Sequence, residues 1–178
     1  MNCSVHSTPI FREIHLRPGD FYFGHGPVRL ITLLGSCVAA ILWHPRLRVG
    51  GMCHYVLPAR CRGTEQEPDG RYADEVMELF RREIVRIGAP SSEYRVRLFG
   101  GGKMFSGRLA PAALDVGTRN VEAARCLAMH LGLTVDEEHL GGIGYRRLAF
   151  ELWSGRTLLE HRQDLIELSD TKKKDKRL

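Results

Sequence analysis

Two apolar runs, Val28 to Leu34 and Val38 to Trp43, stand only three residues apart, separated by Gly35-Ser36-Cys37. Each is far shorter than the ~20 apolar residues that cross a bilayer. Their content of Val, Ile and Leu suits buried strands. The connector is too short for anything but a sharp turn, and glycine relieves the crowding there. Around this pair the chain reads as strand and turn. Ile10 to Leu16 is a strand candidate followed by a turn at Pro18-Gly19-Asp20, and His44-Pro45-Arg46 turns the chain into Val49 to Leu57, with Gly50 and Gly51 near its start.

Helical periodicity appears twice. From Arg71 to Ile87 the apolar residues Ala73, Val76, Met77, Phe80, Ile84 and Ile87 recur at three- and four-residue steps, and Gly88 marks the stop. A second helix is expected from Thr118 to Leu131, with Gly132 at its end. Between them Tyr94 to Phe99 reads as a strand entering Gly100-Gly101-Gly102. After them Leu133 to Val135, Tyr145 to Leu152, Arg156 to Glu160 and Leu165 to Leu168 are strand candidates, with a hairpin turn at Ser154-Gly155. Strands before, between and after two helices predict one mixed α+β domain, a sheet core with helices packed outside.

Composition sharpens what is excluded. A chain of 178 residues fits one domain over 1–168, large enough to need no disulfide or metal staple. The formal net charge is +5. The segment Asp170 to Leu178 alone carries five Lys and Arg against two Asp, so 169–178 reads as a basic, solvated tail and the body is nearly neutral. No helix-turn-helix, RNP or basic-aromatic stripe accompanies that charge, and nucleic-acid binding is not expected. Met1 to Pro9 is polar, without a basic-then-apolar leader, which points to a cytoplasmic protein with no membrane insertion. The five cysteines form no CxxC pair and the histidines show no ligand spacing, so neither a metal nor another cofactor is expected. Gly100-Gly101-Gly102-Lys103 lacks the spacing of a phosphate loop. A close backbone approach, or a ligand edge, explains it better.

The residues able to carry chemistry sit at the first turn. A cysteine after Gly-Ser, where one apolar run hands over to another, has backbone N–H groups of Gly35, Ser36 and Cys37 free to face an oxyanion. A β-bulge with Cys37 filling core space fits the same residues. His54 lies on a strand pattern able to pair with the cysteine's own strand, where an imidazole beside a thiol gives a thiolate–imidazolium pair near neutral pH. A hydrogen-bonded strand histidine is the alternative.

Thr32-Leu33-Leu34-Gly35-Ser36-Cys37-Val38-Ala39, Gly50-Gly51-Met52-Cys53-His54-Tyr55-Val56-Leu57-Pro58 and Arg71-Tyr72-Ala73-Asp74 occur in this order. Then follow Gly100-Gly101-Gly102-Lys103-Met104-Phe105, Gly117-Thr118-Arg119-Asn120-Val121-Glu122 and Gly141-Gly142 ahead of Arg146-Arg147. The ordered set, spanning Phe11 to Glu160, resembles the chemoreceptor glutamine deamidase family, CheD.

The resemblance implies an α+β fold with a mixed or antiparallel, sandwich-like sheet core flanked by helices. That is the fold of the CheD and cytotoxic-necrotizing-factor-like cysteine hydrolases. It implies deamidation of glutamines on methyl-accepting chemotaxis receptors, with Cys37 as nucleophile and His54 as base. The alternative is mainly an adaptor that binds receptors or a CheC-type phosphatase with weak or no catalysis, and a substrate or partner surface is expected at Gly101, Gly102, Met104 and Phe105. The family's third residue is a threonine six positions before the cysteine, where this chain has Ile31. Thr32 follows it, and one residue's difference in a strand reverses the face. Thr32 is therefore the candidate for the third role, and it is expected to point away from the site.

Overall fold

Two apolar runs this close need more cover than one sheet face provides, and the protein splits them between two stacked sheets, with the second run buried on both faces. In the computed structural model, which describes residues 10–61, 63, 66–104, 116–130 and 132–163, the strands are β1 (Arg12–His15), β2 (Phe21–His25), β3 (Val28–Leu34), β4 (Val38–His44), β5 (Val49–Cys53), β6 (Arg95–Gly100), β7 (Val135–Leu140), β8 (Tyr145–Glu151) and β9 (Thr157–Arg162). Helix α1 covers Ala73–Ile87 and α2 Val116–His130. One sheet has the order β1-β3-β8-β9 and the other β2-β5-β4-β6-β7. The pairs β1–β3 and β6–β7 are parallel and the rest antiparallel, so both sheets are mixed. The α+β reading holds: a β-sandwich with two helices against one sheet.

Consecutive strands β3 and β4 belong to different sheets. Gly35-Ser36-Cys37 is therefore the point where the chain crosses from one sheet to the other.

Two cores result, one on each face of the five-stranded sheet. Leu30 and Leu34 of β3, Ile41, Met52, Phe99 and Phe150 fill the space between the sheets. Val38, Leu42 and Tyr55 face the opposite way, toward Val76 and Phe80 of α1 and Ala124 of α2. Burying each large apolar side chain contributes roughly 1.5–3 kcal/mol. Helix α1 ends as its sequence indicates, on Gly88 at φ 75°, whose N–H bonds to Ile84 O at 3.0 Å. It begins at Ala73 because Tyr72 is still extended.

Two strand expectations need correction, and one strand is additional. Val49 to Leu57 is regular only to Cys53, and Tyr55 and Leu57 make single bridges to Val38 and Tyr72. The strand expected at Leu133 to Val135 instead runs over Val135–Leu140. Strand β2 has no counterpart in the sequence reading. Leu165 to Leu168 and the basic tail lie outside the described residues.

Candidate active site

The turn that crosses between the sheets is held by its carbonyl groups. Gly102 N–H donates to Gly35 O and Gly101 N–H to Cys37 O, each at 2.8 Å. The Asn120 side-chain amide donates to Ser36 O at 3.0 Å. A trans peptide points its N–H opposite to its C=O, so anchoring these carbonyls turns the N–H groups of Ser36 and Cys37 to the other side. The Cys37 N–H lies close enough to its own sulfur to favour the thiolate.

Strand register brings His54 to the same face. Val38 bridges Tyr55 and Ile41 pairs with Met52 in the same antiparallel register. Ala39 is then opposite His54, and Cys37 is its diagonal neighbour on that face, within reach of a long side chain. Ala39, Ile41 and Met52 all point into the gap between the sheets, and Cys37 packs against that group. His54 is strapped from behind: its N–H donates to Asp20 O at 3.0 Å and its carbonyl accepts from Gly19 N–H at 2.7 Å.

Across the gap stands Thr32. Its hydroxyl lies 2.8 Å from His54 Nδ1 and 2.9 Å from Leu16 O. The expectation that Thr32 points away is overturned. On β3 the inward residues are Leu30, Thr32 and Leu34, while Leu33 is 59% exposed on the outer face. The three-residue crossing breaks regular alternation, so counting back from Cys37 along one strand assigns the wrong face.

These distances also fix the imidazole's protons. Thr32 has a single hydroxyl proton, and Leu16 O can only accept. Both contacts are satisfied when Thr32 donates to Leu16 O and His54 Nδ1–H donates to Thr32. The lone pair is then on Nε2, which is buried without a hydrogen-bond partner among the described residues. Burial lowers the His54 pKa below 6.5, with Leu16 O and the Asp20 charge acting against it. Burial likewise raises the half-buried Cys37 above 9.0, opposed by its own N–H. Both directions favour a thiol and a neutral imidazole over the thiolate–imidazolium pair expected from the sequence. A neutral imidazole with a free Nε2 is a general base.

A family model described as "CheD chemotactic sensory transduction" matches residues 56–161. Relatives match further toward the N-terminus. The chain is 47% identical over 145 residues to the probable chemoreceptor glutamine deamidase CheD 3 of Dechloromonas aromatica, covering 80% of this chain and 84% of that protein. It is 45% identical over 175 residues to the probable chemoreceptor glutamine deamidase CheD of Pseudomonas savastanoi pv. phaseolicola, covering 97% and 98%. The chain belongs to the CheD family.

The other residues singled out in this CheD chain divide by position. Gly101 and Gly102 are buried and do not present a surface. A Cβ on Gly101 would lie 2.3 Å from Val121 Cγ2, and one on Gly102 would lie 2.4 Å from Gly144 O. Their absent side chains let the backbone close onto α2 and Gly144 while its N–H groups reach the cysteine turn. Half-buried Met104 packs its sulfur over Gly35, where a Cβ would lie 2.8 Å away. Phe105 lies outside the described residues. Asn120 is the site neighbour that sequence reading passes over, since nothing in its local pattern shows that α2 aims it at Ser36. Among the described residues no group of three His, Cys, Asp or Glu side chains is placed to hold a metal.

Proposed function

We propose that this CheD protein deamidates glutamine side chains of chemoreceptors, with Cys37 as nucleophile, His54 as general base and Thr32 fixing the imidazole. The reading is supported above all by Thr32–His54 contact across the sheets, which leaves Nε2 unprotonated on the face that Cys37 shares. It is also supported by the printed activity of the relatives, chemoreceptor glutamine deamidase.

The steps follow from these roles. His54 Nε2 takes the Cys37 proton as the sulfur attacks the glutamine carboxamide carbon, forming the C–S bond and sending the carbonyl electron pair to oxygen. The N–H groups of Ser36 and Cys37 receive that oxyanion. As it collapses the C–N bond breaks, and the imidazolium gives its proton to the departing nitrogen, releasing ammonia. Water then attacks the thioester while Nε2 takes its proton. The C–S bond breaks, the sulfur recovers a proton from the imidazolium, and glutamate is left. Each turnover adds one negative charge to a receptor helix, and charge among packed helices biases their equilibrium. The receptor's helical cytoplasmic region is the substrate and the cytoplasm the site of action. A CheC-type phosphatase belongs to the same proposal as a competitor for the face on which Cys37 opens.

Intact-mass analysis of a receptor cytoplasmic fragment tests this. The wild-type protein converts glutamines to glutamates with ammonia released, and Cys37→Ala and His54→Ala do neither while keeping the native circular dichroism. Conversion by Cys37→Ala at the wild-type rate defeats the assignment.

A further inference from the structure

We infer that Asn120 is a positioning residue for the oxyanion donor: its carboxamide holds the Ser36 carbonyl toward α2 and thereby turns the Cys37 N–H toward the reacting atoms. The inference rests on the proposed deamidase reading for its catalytic consequence, but its geometric content concerns Cys37 alone.

Asn120 is completely buried. Its Nδ2 donates both protons, to Ser36 O at 3.0 Å and to Val56 O at 2.8 Å. Both partners are carbonyl oxygens, which only accept, so the amide's orientation is dictated by its neighbours. One carbonyl belongs to the residue before Cys37 and the other to the second residue after His54. A single planar amide therefore spans the nucleophile's turn and the base's strand and sets their separation. The helix end of this clamp is fixed too, because Tyr55 Oη donates to Asn120 O at 2.7 Å.

The link to chemistry is the rigidity of the peptide unit. Ser36 C=O and Cys37 N–H share one plane and point opposite ways. Nothing in the sheet ladders holds that plane, since residues 35–37 lie between β3 and β4. Without the Asn120 bond the plane is free to rotate, carrying the N–H off the sulfur and off the oxyanion position. No hydrogen bond to another backbone carbonyl competes for the Cys37 N–H among the described residues.

The test compares Asn120→Ala with the wild type in two assays. Iodoacetamide labelling at a fixed mildly alkaline pH, mapped by peptide, reads the Cys37 thiolate, with exposed Cys61 as internal reference. Loss of one hydrogen bond to the thiolate slows Cys37 labelling about tenfold and leaves Cys61 unchanged. On a receptor fragment kcat falls about 100-fold, the cost of one oxyanion donor, with KM within about twofold. Ala124→Gly, which loosens α2 without touching the carboxamide, keeps the wild-type labelling rate. Should Asn120→Ala not fold, Asn120→Asp keeps the shape with at most one proton to donate and is read by the same two assays. Wild-type labelling and kcat in a folded Asn120 variant overturn the inference, as does an equal loss in Ala124→Gly. Slowed labelling of Cys37 in a protein whose wild type does not deamidate receptors upholds the positioning role and rejects the deamidase reading.

Discussion

At the scale of single residues, one hydroxyl decides the protonation of the proposed base. Thr32→Val removes that hydroxyl at nearly constant volume. His54 Nδ1–H then loses its hydroxyl acceptor, and the ring loses its preferred orientation. A general base contributes about 10²–10⁴-fold, so partial misorientation costs about 10- to 100-fold in kcat, less than His54→Ala. Ammonia release measures it, and an unchanged rate places Thr32 outside the site. The pH dependence follows from the same surroundings. Protonating buried His54 puts a charge where water is excluded, so the neutral base persists below its ordinary 6.5. The acid limb of kcat/KM therefore has its midpoint below pH 6.5. Burial acts on the thiol in the opposite sense, and alkylation of Cys37 in the free protein keeps rising above pH 9.0. An acid limb centred above 6.5 contradicts a buried imidazole as the base. Cys53 shows the structural role of a cysteine. Fully buried, it accepts from Ala40 N–H at 3.3 Å, its pKa is pushed up to about 12, and it resists alkylation throughout.

Among the elements, the glycines of β5 permit the packing of the second sheet. A Cβ on Gly51 would lie 2.0 Å from Tyr22 O, and one on Gly50 would lie 2.3 Å from Leu42 O. Both clashes are with backbone of flanking strands, which moves only by breaking the ladder. Gly51→Ala is expected to cost about 3 kcal/mol, the upper range for overpacking. For a domain of this size that lowers the midpoint of thermal unfolding by about 6–12 °C. Loss of 1 °C or less shows that the sheet yields there. The same strands show what a sequence discloses. Val28–Leu34 is read to the residue because its inward residues Val28, Leu30, Thr32 and Leu34 are buried and Ile31 and Leu33 on the outer face are apolar too, so a nearly continuous apolar run carries the signal. Strand β7, Val-Asp-Glu-Glu-His-Leu, is hidden because it is an exposed edge held by its ladder to β6 and by ion pairs such as Arg95–Asp136 and Arg125–Glu138. Such a strand shows no apolar alternation. Cys37 and His54 stand out by their glycine-rich settings, but their roles come from the resemblance to the CheD family. Thr32's true face and Asn120's grip on Ser36 depend on contacts between distant segments, which no local pattern encodes.

For the molecule as a whole, the candidate site lies on the seam between two sheets, and this couples the proposed catalysis to one core more than to the other. Thr32 comes from the four-stranded sheet, and Cys37 and His54 directly flank strands β4 and β5 of the five-stranded one. The spacing of the sheets therefore sets the Thr32–His54 contact. Phe150, completely buried on β8, helps to fix that spacing, paired with Leu30 two residues before Thr32. Phe80 of α1 is as well buried but lies in the helix-facing core, edge-on to the Phe21 ring at 4.9 Å. Truncating either to alanine costs about 3–5 kcal/mol. The two variants should nevertheless differ in what remains. Per folded molecule, Phe150→Ala loses activity because the sheets close into the void and shift Thr32 against His54. Phe80→Ala is less stable but deamidates at close to the wild-type rate below its unfolding transition. Rates normalised to the folded fraction, measured well below both transitions, separate the cases. Equal activity in the two variants means that the seam tolerates changes in sheet spacing and that the imidazole is held by its own strand alone.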